Sequence, residues 1–420
     1  MVALRRAYVI GAGLAGLAAA ERLSARGVAV TVFEATPKAG GRCRSFRDER
    51  LGRVIDNGNH LILSGNRAVL DYADRIGGGH LLDIGRAAYP FLDLATGRGW
   101  TVAPGRGPLG ALSNGARPPD LGAGAMLADL ARLVAAGPAR SVTGAVGGSP
   151  AFPTFWDPMT RAVLNEPPDT ASAALLRAAL LRSFARGAGA AAPVFAPEGL
   201  GTALVDPALA LLARRGVEMR MRHAAEALQG DDRLRTLRIA GGEIAMGEGE
   251  AAILALPARQ AGGLVPHLPV PRAGLSILNA HFRTGDTELP PLLALVHADA
   301  QWLFRRGDVV SVTVSAFEAS ALAELPRDAA LARLWGDVRR AAAAFGPPLP
   351  EAMPPARLLR ERAATFDQTA RGARGRSGPA TPWPNLFLAG DHTATGLPAT
   401  IEGAVRSGLA AADMALSRGV

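Results

Sequence analysis

The first 34 residues place the tightest constraint on the fold. Ala7-Tyr8-Val9-Ile10 is short, apolar and β-prone, and it runs directly into Gly11-Ala12-Gly13-Leu14-Ala15-Gly16. Leu17 to Leu23 are mostly strong helix formers, and Gly27 stands where that helix should stop. A second strand, Val28 to Phe33, ends at Glu34. The spacing predicts a βαβ unit. Gly11 permits the tight turn, Gly13 lets a pyrophosphate approach the main chain, and Gly16 lets the helix pack closely on the strand. A helix opening at Leu14 and Ala15 offers free N–H groups to phosphate. Glu34, with Ala35 beside it, stands 23 residues after Gly11, where a carboxylate can hold the ribose hydroxyls of a dinucleotide. Gly105, Gly107 and Gly110 repeat the glycine spacing. There Pro108 removes a backbone donor and no βαβ unit surrounds it, so that match reads as a loop.

A chain of 420 residues allows two or three domains at about 150 residues each. The formal net charge of +9 is carried almost entirely by arginine, since Lys38 is the only lysine. A basic surface suits anionic lipid or phosphorylated substrates. Nucleic acid fits poorly, because finger spacing and RNP-like motifs are missing and aromatics make up only 5%. The one cysteine, Cys43, rules out a disulfide framework and reads as a small buried residue in a reducing cytoplasm. The histidines show no metal spacing, so no metal is expected. The first ten residues read as a strand rather than a signal peptide. No uncharged apolar run reaches the roughly 18 residues of a spanning helix, so the expectation is a cytoplasmic protein, soluble or peripheral on the inner membrane.

The next segment separates FAD from NAD. Lys38-Ala39-Gly40-Gly41-Arg42-Cys43-Arg44-Ser45 resembles the flavoprotein superfamily of amine oxidases and phytoene desaturases. The resemblance implies that Gly41 and Arg42 lie along the FAD pyrophosphate, a role suited to a forked guanidinium. Pro197-Glu198-Gly199-Leu200-Gly201, followed by the strand-like Val217 to Met221, resembles the segment that leads to a backbone contact with adenine near Ala224. Ile253-Leu254-Ala255-Leu256-Pro257 resembles the strand that returns to the flavin domain. Leu386 to Asp391 resembles the last strand, with Gly390 and Asp391 near the ribityl and phosphate part of FAD. Ala399, Thr400 and Ile401 then open a final helix. Its positive end would face the flavin and favour the anionic reduced form.

Three stretches are narrower: Asp56-Asn57-Gly58-Asn59-His60, then Phe155-Trp156-Asp157-Pro158 with Leu164-Asn165-Glu166-Pro167, and Gly390-Asp391-His392 running on to Glu402-Gly403-Ala404. Together they resemble the squalene-associated FAD-dependent desaturases of bacterial hopanoid pathways, the hydroxysqualene dehydroxylases. His392 departs from that pattern, which has tryptophan there. The resemblance implies reductive removal of the hydroxyl of hydroxysqualene to give squalene, with a lipid substrate and an external reductant, either NAD(P)H or a reductase. It also implies that Gly58, Asn59 and His60 lie near the flavin. Such chemistry needs a proton donor and an apolar, water-excluding pocket. His60 and Glu402 are the candidate acids, with Asp157 and Glu166 more remote. Ala173 to Arg186 reads as a basic apolar helix that could touch an anionic membrane surface or sit in the core.

The expected fold class is α/β: a Rossmann-type FAD-binding domain of the amine oxidase/phytoene desaturase kind with a second, α+β substrate domain. The FAD domain is expected from residues 1–70, 195–260 and 381–420, and the substrate domain from 71–194 and 261–380. A phytoene-type desaturase, moving hydride from hydrocarbon to FAD, is the alternative. An amine oxidase is disfavoured because Lys38, on the phosphate side, cannot serve as the flavin-side lysine typical of that family.

Overall fold

The computed structural model describes residues 3–106, 110, 115, 117–119, 121–265 and 268–418. Strand β1 (Arg6–Ile10), helix α1 (Leu14–Ser24) and strand β2 (Ala29–Glu34) form the expected βαβ unit. They join a five-stranded parallel sheet in the order Glu218–Met221, β2, β1, Glu250–Leu254, Leu386–Leu388. Its strands therefore come from three distant stretches of chain. β1 is apolar on both sides (Tyr8, Val9 and Ile10 are all buried), as a central parallel strand must be when both faces are covered.

One cover is α1 with the last helix, Ile401–Arg418. The two helices meet so closely that a Cβ on Gly408 would lie 2.0 Å from the Ala15 carbonyl oxygen. Only glycine allows that contact, and it fixes the start of the last helix relative to the glycine turn. The other face is capped by a three-stranded antiparallel sheet, Ala225–Gln229, Thr236–Ile239 and Gly242–Ala245.

A second sheet has seven strands in the order Ala356–Glu361, Ile277–Arg283, Val309–Val314, Trp302–Arg306, Leu292–Val296, Tyr89–Asp93, Gly99–Val102. Neighbours are antiparallel except Leu292–Val296 with Tyr89–Asp93. Alternate side chains feed two cores, as the pleat requires. Phe91, Leu292, Ala294 and Trp302 face Met126, Phe155, Trp156 and Leu176 from the helices. Leu92, Leu293, Leu295 and Leu303 face Leu331, Leu334, Trp335 and Val338 of helix Arg327–Ala343. Each of those four large side chains contributes on the order of 1.5–3 kcal/mol by burial.

Two expectations need correction. The basic apolar helix covers only Ala173–Arg182, and a 3-10 turn at Phe184–Arg186 follows it. That helix is largely core, with Ala173, Leu175, Leu176 and Leu180 buried. Its arginines are not simply solvated: Arg177 donates to the carbonyls of Val134 and Ala136, and Arg182 lines a cavity. Of the second glycine match, Gly105 N–H donates to the Gly110 carbonyl, and Gly107 and Pro108 lie outside the described residues.

Candidate active site

The glycine turn between β1 and α1 is built from three different necessities. Gly11 has φ 106°, and a Cβ there would lie 2.5 Å from the Ala255 carbonyl oxygen. A Cβ on Gly16 would lie 1.9 Å from the Gly11 carbonyl oxygen. Gly13 is different, because a Cβ there would meet nothing within 4 Å. The protein itself leaves that space open, directly over the N-terminus of α1. Leu14 and Ala15, the first residues of α1, are buried.

Two segments border this open ground. Glu34, at the end of β2, accepts from Ala12 N–H at 2.9 Å and from Thr36 N–H and Oγ1 at 2.9 and 2.8 Å. Ala35 is exposed beside it. The chain after Glu218–Met221 runs along the same edge, with His223 N–H donating to the Glu34 carbonyl, and this brings Ala224 there. On the other side, Gly40 N–H donates to the Ala12 carbonyl, and Gly41 (φ 54°) would put a Cβ 3.4 Å from Gly13 Cα.

Arg42 links this turn to the C-terminal segment. Its guanidinium makes a forked pair with Asp391, at 2.6 and 2.9 Å, and donates to the Ala364 carbonyl at 2.6 Å. Burial pushes the Asp391 carboxyl up, but the Arg42 charge outweighs it and holds the carboxyl below its usual range. Asp391 follows Gly390, whose φ of 141° is shaped by the His392 ring lying only 2.5 Å from where a Cβ would sit. His392 is buried and neither ring nitrogen has a partner. Burial lowers its pKa to about 4, so it is neutral at pH 7. It borders a cavity of about 260 Å³ with Arg42, Arg259, Arg362 and Asp391. The cysteine is inert, since burial pushes the Cys43 thiol up to about 12.

These features fit a dinucleotide of the FAD kind. An open cradle at Gly13, a helix N-terminus, a carboxylate at the strand end, cationic side chains and a buried imidazole without a hydrogen-bond partner are together suited to one extended polar group.

Beyond Arg42 lies a second cavity of about 240 Å³. Ala399, Thr400, Ile401 and Glu402, at the start of the last helix, form one wall. Thr400 caps that helix, its Oγ1 accepting from Gly403 N–H at 3.0 Å. Asn59 and His60 form a second wall, Leu180 and Phe184 a third, and Trp302 and Phe304 of the seven-stranded sheet a fourth. Asn59 is fixed by donating to Thr313 Oγ1 at 3.0 Å, and Gly58 leaves room for the His60 ring beside it. Burial, then the Arg42 charge, lowers the His60 pKa, which keeps the imidazole neutral.

Glu402 is buried, and its two oxygens accept from Ala68 and Val69 N–H at 3.3 and 3.1 Å, in the first turn of helix Arg67–Ile76. The carboxylate thus serves a neighbouring helix N-terminus as well as facing the cavity, and burial raises its pKa. It is the one carboxylic acid among the described cavity-lining residues. Asp157 is paired with Arg161, and Glu166, although pushed up to about 7 by burial, does not line the cavity.

Some organising residues carried no motif. Gln368 accepts from Ala399 N–H at 2.7 Å and donates to the Leu164 carbonyl at 2.6 Å. Arg376 donates to the Thr393 and Leu397 carbonyls and so shapes the loop before the last helix. Asn165, in a quoted motif but without an assigned role, sits at φ 51° and ties the end of helix Asp157–Leu164 to Leu275, Ala316 and Thr365. Such loop-to-loop bonds have no periodicity to read.

The pattern of the flavin containing amine oxidoreductases matches residues 14–97 and 152–416. The chain is 40% identical over 419 residues to the hydroxysqualene dehydroxylase of Rhodopseudomonas palustris, covering 98% of each chain. It is 36% identical over 416 residues to that of Zymomonas mobilis, covering 98% of this chain and 99% of that one. Among solved structures, cyclohexylamine oxidase from Brevibacterium oxydans superposes with a TM-score of 0.74 at 14% identity, over 98% of this chain and 99% of that one. The last likeness is one of fold alone, whereas the first two extend through the sequence. The chain belongs to the hydroxysqualene dehydroxylase family, within the flavin containing amine oxidoreductases.

Proposed function

We propose that this protein is an FAD-dependent oxidoreductase that replaces the allylic hydroxyl of hydroxysqualene by hydrogen, giving squalene and water. The observation that carries the reading is full-length identity to hydroxysqualene dehydroxylases, joined to an apolar cavity that holds one carboxylic acid. In this reading Gly11, Gly13, Gly16, Glu34, Gly41, Arg42, Ala224, Gly390 and Asp391 hold FAD. When bound and reduced, FAD supplies the hydride. The reducing equivalents come from outside the chain, from NAD(P)H or a reductase.

The remaining work falls to the chain's own side chains. Phe184, Trp302 and Phe304 exclude water around the hydrocarbon. Glu402, its pKa raised by burial, gives the leaving oxygen its proton. His60, neutral, donates a hydrogen bond to that oxygen from the opposite wall. The test is product analysis. Reduced holoprotein given hydroxysqualene is expected to yield squalene. Desaturation of a polyprenyl hydrocarbon by oxidised holoprotein, without dehydroxylation, would instead select the phytoene-desaturase reading.

A further inference from the structure

Helix Ala123–Ala135 carries only two charged residues, Asp129 and Arg132, and much of its apolar surface faces outward. Met126 and Leu133 are buried. Leu127 and Val134, two turns apart, are 50% and 56% exposed, and Ala128, Ala131 and Ala135 are exposed on the same side. A solvent-facing helix surface is ordinarily polar, so an outward stripe of Leu, Val and Ala calls for a partner. Leu181, on the neighbouring helix Ala173–Arg182, is also 50% exposed. Between the two helices runs an apolar groove of about 110 Å³, lined by Leu130, Val134, Leu181 and Phe184. Leu180 and Phe184 line both this groove and the larger cavity of the candidate active site, so the groove lies against that cavity's wall.

The charge near this face is mainly positive, with exposed Asp169 on the loop that accepts from Val142 and Thr143 N–H. Residues 121–156 and 170–197 contain Arg132, Arg140, Arg177, Arg182 and Arg186 but only one acid, Asp129. Asp129 is buried, bonded to Arg132 and to the Trp156 indole N–H. Arg177 ties the two helices together by donating to the Leu133, Val134 and Ala136 carbonyls. Arg132, Arg140 and Arg186 are exposed, and Arg132 is also paired with Asp129.

We propose that this face docks on an anionic lipid bilayer. Helix Ala123–Ala135 lies in the interface with Leu127, Val134 and Leu181 turned to the acyl chains and the exposed arginines at the headgroups. Leu127, Val134 and Leu181 offer an aliphatic patch to acyl chains, and the arginines near it suit anionic headgroups. The groove's position gives a C30 hydrocarbon a path from lipid toward the cavity. That last point rests on the proposed function; the lipid contact itself does not.

The experiment is co-sedimentation of holoprotein with vesicles of phosphatidylglycerol and phosphatidylcholine, against phosphatidylcholine alone. Holoprotein is expected to pellet with the anionic vesicles, and about 0.5 M salt should release much of it. The L127E/V134E variant should lose about tenfold in partition, while keeping its flavin spectrum and its turnover of detergent-dispersed substrate. Absence of pelleting with anionic vesicles, or equal pelleting of the variant, would overturn the proposal. So would a dimer that the same variant dissolves while vesicles stay unbound. Vesicle binding without any hydroxysqualene turnover would sink the proposed function and leave the docking face standing.

Discussion

Arg42 and Asp391, 349 positions apart in the chain, are joined by two hydrogen bonds of 2.6 and 2.9 Å at the point where the glycine turn, the Gly-Gly loop and the last strand converge. Removing one partner leaves the other poorly compensated. Arg42→Ala is expected to cost about 3–5 kcal/mol of stability, less some solvent screening of the part-exposed arginine, and to impair FAD retention. Because the folded Asp391 pKa lies below its unfolded value, its share of stability is present above about pH 4 and is lost as pH falls through the folded value. Thermal melts of wild type and Arg42→Ala between pH 7 and pH 3 check both points. An unchanged melting temperature in the variant would remove the pair from the account.

The two glycines of the turn should separate fold from cofactor. Gly16→Ala puts a methyl 1.9 Å from a carbonyl oxygen and is expected to yield little folded protein. Gly13→Ala meets open space, so the apoprotein should fold with an ordinary melting temperature. If FAD runs over Gly13, that same methyl should weaken FAD binding, measured by flavin fluorescence on titration, by about tenfold or more. Wild-type affinity in Gly13→Ala would refute the placement.

Glu402 has two jobs that one substitution can divide. Glu402→Gln keeps one of the two oxygens that accept from Ala68 and Val69 N–H, and it cannot supply the proton. Its kcat is expected to fall by about 10²–10⁴ while the fold holds. Glu402→Ala should lose stability as well. In wild type the rate should fall as pH rises through the raised carboxyl value, and that limb should vanish in Glu402→Gln. Equal kcat in wild type and Glu402→Gln would leave the carboxylate as a helix cap only. His60→Ala, removing a neutral donor, should slow turnover without loss of flavin.

His392 predicts an acid-side weakness. Its folded pKa of about 4 lies below its unfolded value, so the unfolded chain takes up a proton first as pH falls. Stability should therefore drop by about 1.4 kcal/mol per pH unit between roughly pH 6.5 and 4 from this residue. His392→Phe should flatten that slope in urea-unfolding series of the apoprotein. A parallel slope in the variant would assign the effect elsewhere, with buried His281 the next group to test.

The sequence made the cofactor cradle legible because its signals are local. Gly16 and Glu34 answer to atoms in or beside one βαβ unit, and β1, β2 and Glu218–Met221 formed within a residue of their expected limits. The strand expected at 253–257 runs instead over Glu250–Leu254, and the one expected at 386–391 stops at Leu388. The cavity was harder to read. Its walls join residues near 60, 160, 180, 303 and 400. No spacing rule connects Asn59 to Thr313 or Gln368 to Ala399. Glu402 was recognisable as a first-turn acid, but its engagement with a different helix, Arg67–Ile76, depends on tertiary packing. The outward apolar face of Ala123–Ala135 was invisible for the opposite reason: a helix this rich in Leu, Val and Ala looks like core until its surroundings are known.

The most direct test of the central claim is an anaerobic titration of the reduced holoprotein with hydroxysqualene, followed by flavin absorbance and product analysis. The flavin is expected to reoxidise in step with squalene formation, one squalene for each flavin oxidised. Flavin that stays reduced with hydroxysqualene present, while oxidised flavin is bleached by a polyprenyl hydrocarbon, would contradict the direction of hydride flow and with it the proposed reaction.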